Sequence, residues 1–195
     1  MMLYGFFSKC YILMTIKFLD NSCLVLIDIT KNYEDKLYNY DLFRKNIIKL
    51  IKKAKKEKIP ICFVLEKYKN VNDKKLWDKV LVSNQEDHHT DTMYQGIPMN
   101  FCVPDKNDYV FFKDGFDSFY KTGLEQFLKK NKIENLYIGG LATGVCVLNT
   151  IFSANTRGFK KHIYLIENCC SDMTKTRHES TLKNYKKNYF QLLEI

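Results

Sequence analysis

Three ionisable side chains of this chain close apolar runs, and together they could do chemistry. The first is Cys146, in Gly139-Gly140-Leu141-Ala142-Thr143-Gly144-Val145-Cys146. The apolar run Asn135-Leu136-Tyr137-Ile138 leads into this turn, and Val147 to Ala154 leads out of it. A cysteine therefore sits at a strand-to-helix joint, wrapped in small residues. With Thr143 as N-cap, Cys146 takes the third helical position, where the helix dipole and free backbone N–H groups favour an anion. A thiol so placed is expected to ionise more readily and to act as a nucleophile. The second is Asp28, which ends Cys23-Leu24-Val25-Leu26-Ile27; the third is Lys113, which follows Tyr109-Val110-Phe111-Phe112. A carboxylate can take the thiol proton and later hand it to a leaving amine. A lysine ammonium can hold that carboxylate and lower the cost of a thiolate. A Gly-rich turn can aim N–H groups at a developing oxyanion. The set suits attack on a carbonyl carbon, with a thioester-like intermediate that water then hydrolyses.

These residues need a frame that brings strand ends together. Continuous apolar runs such as Cys23 to Ile27 are strands buried on both faces, as in parallel sheets. Asp41 is placed to cap a helix to about Lys58, with Phe43, Ile47, Ile48, Leu50, Ile51 and Ala54 as its apolar stripe. Further strands are expected at Ile59–Leu65, Tyr109–Phe112, Leu136–Ile138, His162–Ile166 and Phe190–Leu193. Further helices are expected at Leu124–Lys130, from the cysteine turn to about Thr156, and at Thr176–Tyr189. The polar stretch 66–107 gives no regular pattern. Strand and helix alternate, which predicts a three-layer α/β sandwich: a mostly parallel six-stranded sheet with helices on both faces and right-handed crossovers. In such sheets the site lies at the carboxyl ends of the strands, where Asp28, Lys113 and the cysteine turn all fall.

Composition narrows the class. The chain has 195 residues, enough for one α/β domain with a full core, and 46% of them are apolar. The net charge of +9 comes mostly from lysine, and Arg44, Arg157 and Arg177 are the only arginines. Base readout and bidentate phosphate binding lean on arginine, so a lysine-rich solvated surface is expected and no nucleic acid. Seven cysteines without a CxxC pair fit reduced thiols in a cytoplasmic protein. The first 14 residues are fairly apolar but lack a small-residue cleavage site, and no membrane span is expected. Residues 1–20 are read as an N-terminal extension, with Met14 as an alternative start, and residues 21–195 as the hydrolase domain.

The quoted motifs resemble the isochorismatase-like cysteine hydrolases, which include nicotinamidases, N-carbamoylsarcosine amidases and ureide hydrolases. The resemblance rests on Leu24 to Asp28, on Phe112-Lys113-Asp114-Gly115-Phe116-Asp117-Ser118-Phe119 with Thr122 and Leu124, and on Gly140 to Cys146. A fourth stretch, Glu167 to Asp172 with His178 downstream, adds to it. The resemblance implies a triad of Asp28, Lys113 and Cys146, a cis peptide between Leu141 and Ala142, and an oxyanion hole from the Ala142 and Cys146 amides. It implies a small-molecule substrate, no cofactor, and a dimer or tetramer. Cys146 favours C–N bond hydrolysis of a small amide, carbamoyl or ureide; the alternatives are vinyl ether hydrolysis, nicotinamidase activity, or a non-catalytic binding protein on the same fold. Tyr33, Phe116 and Phe119 are candidate pocket residues. Nicotinamidases carry an Asp-x-His metal pair where this chain has Glu66-Lys67-Tyr68, which argues against nicotinamide. No metal site is expected, and Glu66 and His88 are the nearest candidates for ligands. Gly144 stands where the family often has an acid.

Overall fold

The computed structural model describes residues 16–68, 94–159 and 162–195. His88, and with it most of the segment that resisted assignment, lies outside the described residues. Six strands run parallel: β1 (Ser22–Ile27), β2 (Ile61–Tyr68), β4 (Tyr109–Lys113), β5 (Asn135–Gly140), β6 (Ile163–Cys170) and β7 (Gln191–Leu193). The two-residue strand β3 (Tyr94–Gln95) pairs antiparallel with the end of β2. The order across the sheet is β4-β2-β1-β5-β6-β7. Among the described residues four helices cover it: α1 (Tyr40–Lys56), α2 (Leu124–Lys130), α3 (Leu148–Ala154) and α4 (Lys175–Tyr189).

Each central strand is apolar along most of its length because both faces are covered. All six residues of β1 and of β5 are buried. Leu24, Leu26 and Phe63 pack with the α1 stripe of Phe43, Ile47, Leu50 and Ala54. Val25, Ile27 and Val64 pack on the other face with residues of α2, α3 and α4. Burial at about 25 cal/mol per Å² of apolar surface makes both clusters the main favourable contribution to this fold.

Several boundaries move for local reasons. Asn39, not Asp41, is the N-cap of α1, and its side chain makes no cap bond. Its Oδ1 instead accepts a hydrogen bond from the Ser171 hydroxyl. Ile59 lies just past α1, where its amide donates back to Ala54 O at 2.9 Å, and β2 starts at Ile61. Thr174 caps α4 through its side chain, which accepts from the Arg177 amide.

The chain steps outward from β1 to β2 and β4, then returns to β5 and steps the other way. The order therefore reverses between β1 and β5. Ligands of open α/β sheets bind at such a switch point, beyond the carboxyl ends of the strands. Asp28 and the cysteine turn flank it.

Candidate active site

The close approach of β1 and β5 depends on Gly140. Its φ is +129°, and a Cβ there would lie 2.1 Å from Ile27 O and 2.6 Å from Ile27 N. No side chain fits, so the backbone can lie against β1 and Leu141 N can donate to Ile27 O at 2.8 Å. Asp28 follows directly with φ +47°, a left-handed conformation that aspartate tolerates better than most residues. The Leu141–Ala142 peptide is cis.

Asp28, Lys113 and Cys146 meet at this switch point. Lys113 Nζ lies 2.6 Å from Asp28 Oδ2, 2.8 Å from Gly115 O and 3.5 Å from Cys146 Sγ. All three residues are at most 5% exposed. Asp28 Oδ1 is buried without a hydrogen-bond partner of ordinary geometry, yet the carboxylate lies near enough to favour the protonated Cys146 thiol. The cysteine helix is also tied to the lysine loop: Thr150 Oγ1 donates to Cys146 O at 2.8 Å and lies 2.7 Å from Ser118 Oγ.

The electrostatics overturn one expectation. Burial pushes the Cys146 thiol up; Lys113 pulls it down, and Asp28 and Glu66 push it further up. The resting group is a thiol, because desolvation outweighs the single ammonium. Burial also works against the Lys113 ammonium, but the charges of Asp28 and its neighbours outweigh it and raise its pKa. A thiol, a carboxylate and an ammonium thus share one dry site, and the thiol needs a base before it can attack.

Thr143 is not the N-cap. Residues Thr143–Val147 form a π turn before α3, and Ala142 stands at the cap position without a side-chain bond. Cys146 is the fourth residue of that turn. The Thr143 hydroxyl instead donates to Ser171 O at 2.9 Å and lies 2.8 Å from His178 Nδ1. Since that hydroxyl has one proton, His178 Nδ1 carries the hydrogen of the second bond. Burial lowers the His178 pKa, with Asp172 and Glu179 acting the other way. Thr143 N also donates to Ser171 O, and Gly144 N donates to Asp172 Oδ2 at 3.0 Å. Val145 N and Val147 N both donate to Ala142 O. The Ala142 and Cys146 amides take no part in these bonds. Gly144 packs tightly on α4: a Cβ would come within 2.9 Å of Thr181 Oγ1 and 3.1 Å of Arg177 Cγ. That crowding leaves no room for an acidic side chain with the helix placed as it is.

Of the pocket candidates, Tyr33 is buried and donates to Glu66 Oε2 at 3.2 Å. Thr30 and Asn32 donate to Glu66 Oε1, also at 3.2 Å. Phe119 is buried beneath the Arg157 guanidinium, and Phe116 packs against the same core cluster. Glu66 is buried, in register with Lys113 across the β2–β4 ladder. Among the described residues no group of three or more His, Cys, Asp or Glu could hold a metal ion. Asp172 closes the fourth stretch named in the sequence, which assigned it no role of its own. Its signal was a carboxylate two residues past the end of a strand, as Asp28 is one residue past β1.

A parallel α/β sheet with a buried thiol, carboxylate and ammonium at its switch point defines a class of hydrolase-like α/β proteins. The chain belongs to the isochorismatase family: residues 22–194 match the Isochorismatase domain. It is 24% identical over 127 residues to the nicotinamidase of Schizosaccharomyces pombe, covering 63% of this chain and 56% of that enzyme. The chain thus spans little more than half of that relative. It is 24% identical over 148 residues to an uncharacterised isochorismatase family protein of Bacillus subtilis, covering 74% of this chain and 71% of that one. Among solved structures, an isochorismatase family protein from Desulfovibrio vulgaris matches with a TM-score of 0.73 at 15% identity, covering 89% and 94% of the two chains. N-carbamoylsarcosine amidase from Thermoplasma acidophilum matches with a TM-score of 0.66 at 17% identity over the same shares. These likenesses show the fold. No helix among the described residues is long and apolar enough to cross a membrane.

Proposed function

We propose that this protein is an amidohydrolase that cleaves a C–N bond of a small amide, carbamoyl or ureide substrate through Cys146. The observation that carries this is the contact of Lys113 Nζ with both Asp28 and Cys146 Sγ in a buried site. Asp28 takes the thiol proton as sulfur bonds to the carbonyl carbon. The amides of Ala142 and Cys146 receive the oxyanion, in a site where water is excluded and such bonds count for more. The C–N bond breaks, and Asp28 gives its proton to the leaving amine. Water then attacks the thioester, Asp28 accepts its proton, and the thiol is restored when carbon–sulfur cleavage returns that proton to sulfur. Lys113 stays an ammonium throughout and holds the carboxylate in place. Tyr33, Phe116 and Phe119 belong to the substrate side of this reading.

The test is ammonia release over a panel of small amides, carbamoyl compounds and ureides, nicotinamide included because one relative is a nicotinamidase. Wild type should turn over at least one of them, and Cys146→Ala should lose at least about 10³-fold in kcat while keeping its fold. Retained ammonia release in Cys146→Ala would overturn the mechanism. A wild type that turns over none would favour a binding protein.

A further inference from the structure

One buried charge beside the cysteine turn has no part in this reaction scheme. Asp172 lies just past β6 and is fully buried. Its Oδ2 accepts from Gly144 N, inside the turn, and its Oδ1 accepts from Met173 N at 2.8 Å and from the Arg177 guanidinium of α4. The preceding residue does the same work one step back. Ser171 O accepts both the amide and the hydroxyl of Thr143, and Ser171 N donates to Gly140 O at 3.2 Å. His178, the residue after Arg177 on the same helix, completes the row against Thr143. The loop 140–144 is therefore bound along its length by residues 171 and 172, backed by α4.

This bears on the reaction because of where those two bonds lie in the turn. Thr143 and Gly144 turn their N–H groups outward to Ser171 and Asp172. The two amides that the proposed mechanism needs, Ala142 and Cys146, flank that pair. A peptide plane is rigid, so holding the Gly144 amide to Asp172 fixes the path of the chain between them. A charge-assisted bond from a carboxylate to a backbone amide is among the stronger ones a protein makes. Arg177 in turn holds the carboxylate, so a buried charge is not left alone.

We propose that Asp172 is a positioning residue for the oxyanion hole, acting through the Gly144 amide and held by Arg177. It touches no reacting atom. The proposal rests on the amidase reading for its meaning, and its test is chosen to be separable from that reading.

The test compares two reagents at Cys146 in the intact protein, followed by mass spectrometry and by titration. Iodoacetamide alkylates sulfur by displacement and uses no oxyanion hole. A small aromatic aldehyde adds the sulfur to its carbonyl carbon, with the thiol proton balancing the new oxygen, and so reads the hole directly. Asp172→Ala should weaken aldehyde binding about 10-fold or more while the iodoacetamide rate changes less than about 3-fold. Asp172→Asn, which keeps an acceptor for Gly144 N, should recover much of the loss. With a turned-over amide, the same variants should lower kcat and leave KM nearly unchanged. If Asp172→Ala fails to fold, Asp172→Asn and Arg177→Gln carry the test, each expected to show a smaller loss of the same kind. Parallel loss with both reagents, or no loss of aldehyde binding, would overturn the proposal. Because neither reagent is a substrate, a failure of the amidase reading shows only in the ammonia assay.

Discussion

The Cys23–Cys62 pair and Cys146 belong to one hydrophobic cluster, and burial pushes both the Cys62 and the Cys146 thiols up. Their company differs. Cys23 Sγ and Cys62 Sγ lie 3.3 Å apart among apolar side chains. Cys146 lies 3.5 Å from a buried ammonium that is itself 2.6 Å from a carboxylate. A buried thiol is by default an inert hydrophobe. What sets Cys146 apart is a carboxylate and an ammonium carried to it from the ends of two other strands. Depth does not separate the sites; the charges do.

The contrast can be broken most sharply with paired variants. Cys62→Ala should leave any amide turnover within about 2-fold of wild type, against the loss of at least about 10³-fold expected for Cys146→Ala. Equal losses would mean that the core, not the charged trio, was being read. Next in size is Lys113→Met, which leaves the Asp28 carboxylate buried without its ammonium. It should cost about 3–5 kcal/mol of stability in urea unfolding, because removing one partner of a buried pair strands the other. A loss below about 1 kcal/mol would show that the pair contributes little. Cys62→Ala should cost about 1 kcal/mol in the same assay, as a small core truncation.

The smallest effect concerns pH. His178 is held neutral, with its pKa lowered by burial, so protons bind more readily to the unfolded chain. Stability from this group is present above the ordinary histidine pKa of about 6.5 and is lost as pH falls below it. His178→Asn should therefore flatten the fall in melting temperature between about pH 7 and pH 5. Identical slopes in the two proteins would count against that assignment.

Much of this was legible before any coordinates. Asp28 and Lys113 could be read because each closes an apolar run, and a run buried on both faces is a parallel strand whose end faces the site. Leu124–Lys130 was read with its observed bounds, since Gly123 and Asn131 frame it. The cysteine turn was read as a capped helix, but Thr143 spends its hydroxyl on Ser171 and His178. Ser171, 28 positions away, takes the hydroxyl proton and His178, 35 positions away, bonds the oxygen, and no local pattern reveals either. The sign of the Cys146 shift was lost for a like reason. Proximity to a helix start is visible in a sequence, whereas the desolvation that outweighs it depends on everything packed above. Strand β3 escaped because two residues carry no periodicity.

Gly140 has a consequence for anyone who would move this chemistry elsewhere. Its missing side chain lets β5 press its backbone against Ile27, the residue before Asp28. The spacing between the cysteine turn and Asp28 is thus gauged by a bare hydrogen on one α-carbon. A transplant of the eight-residue cysteine turn alone would carry the glycine without the strand it presses against. The smallest portable unit is the turn together with the neighbouring strand.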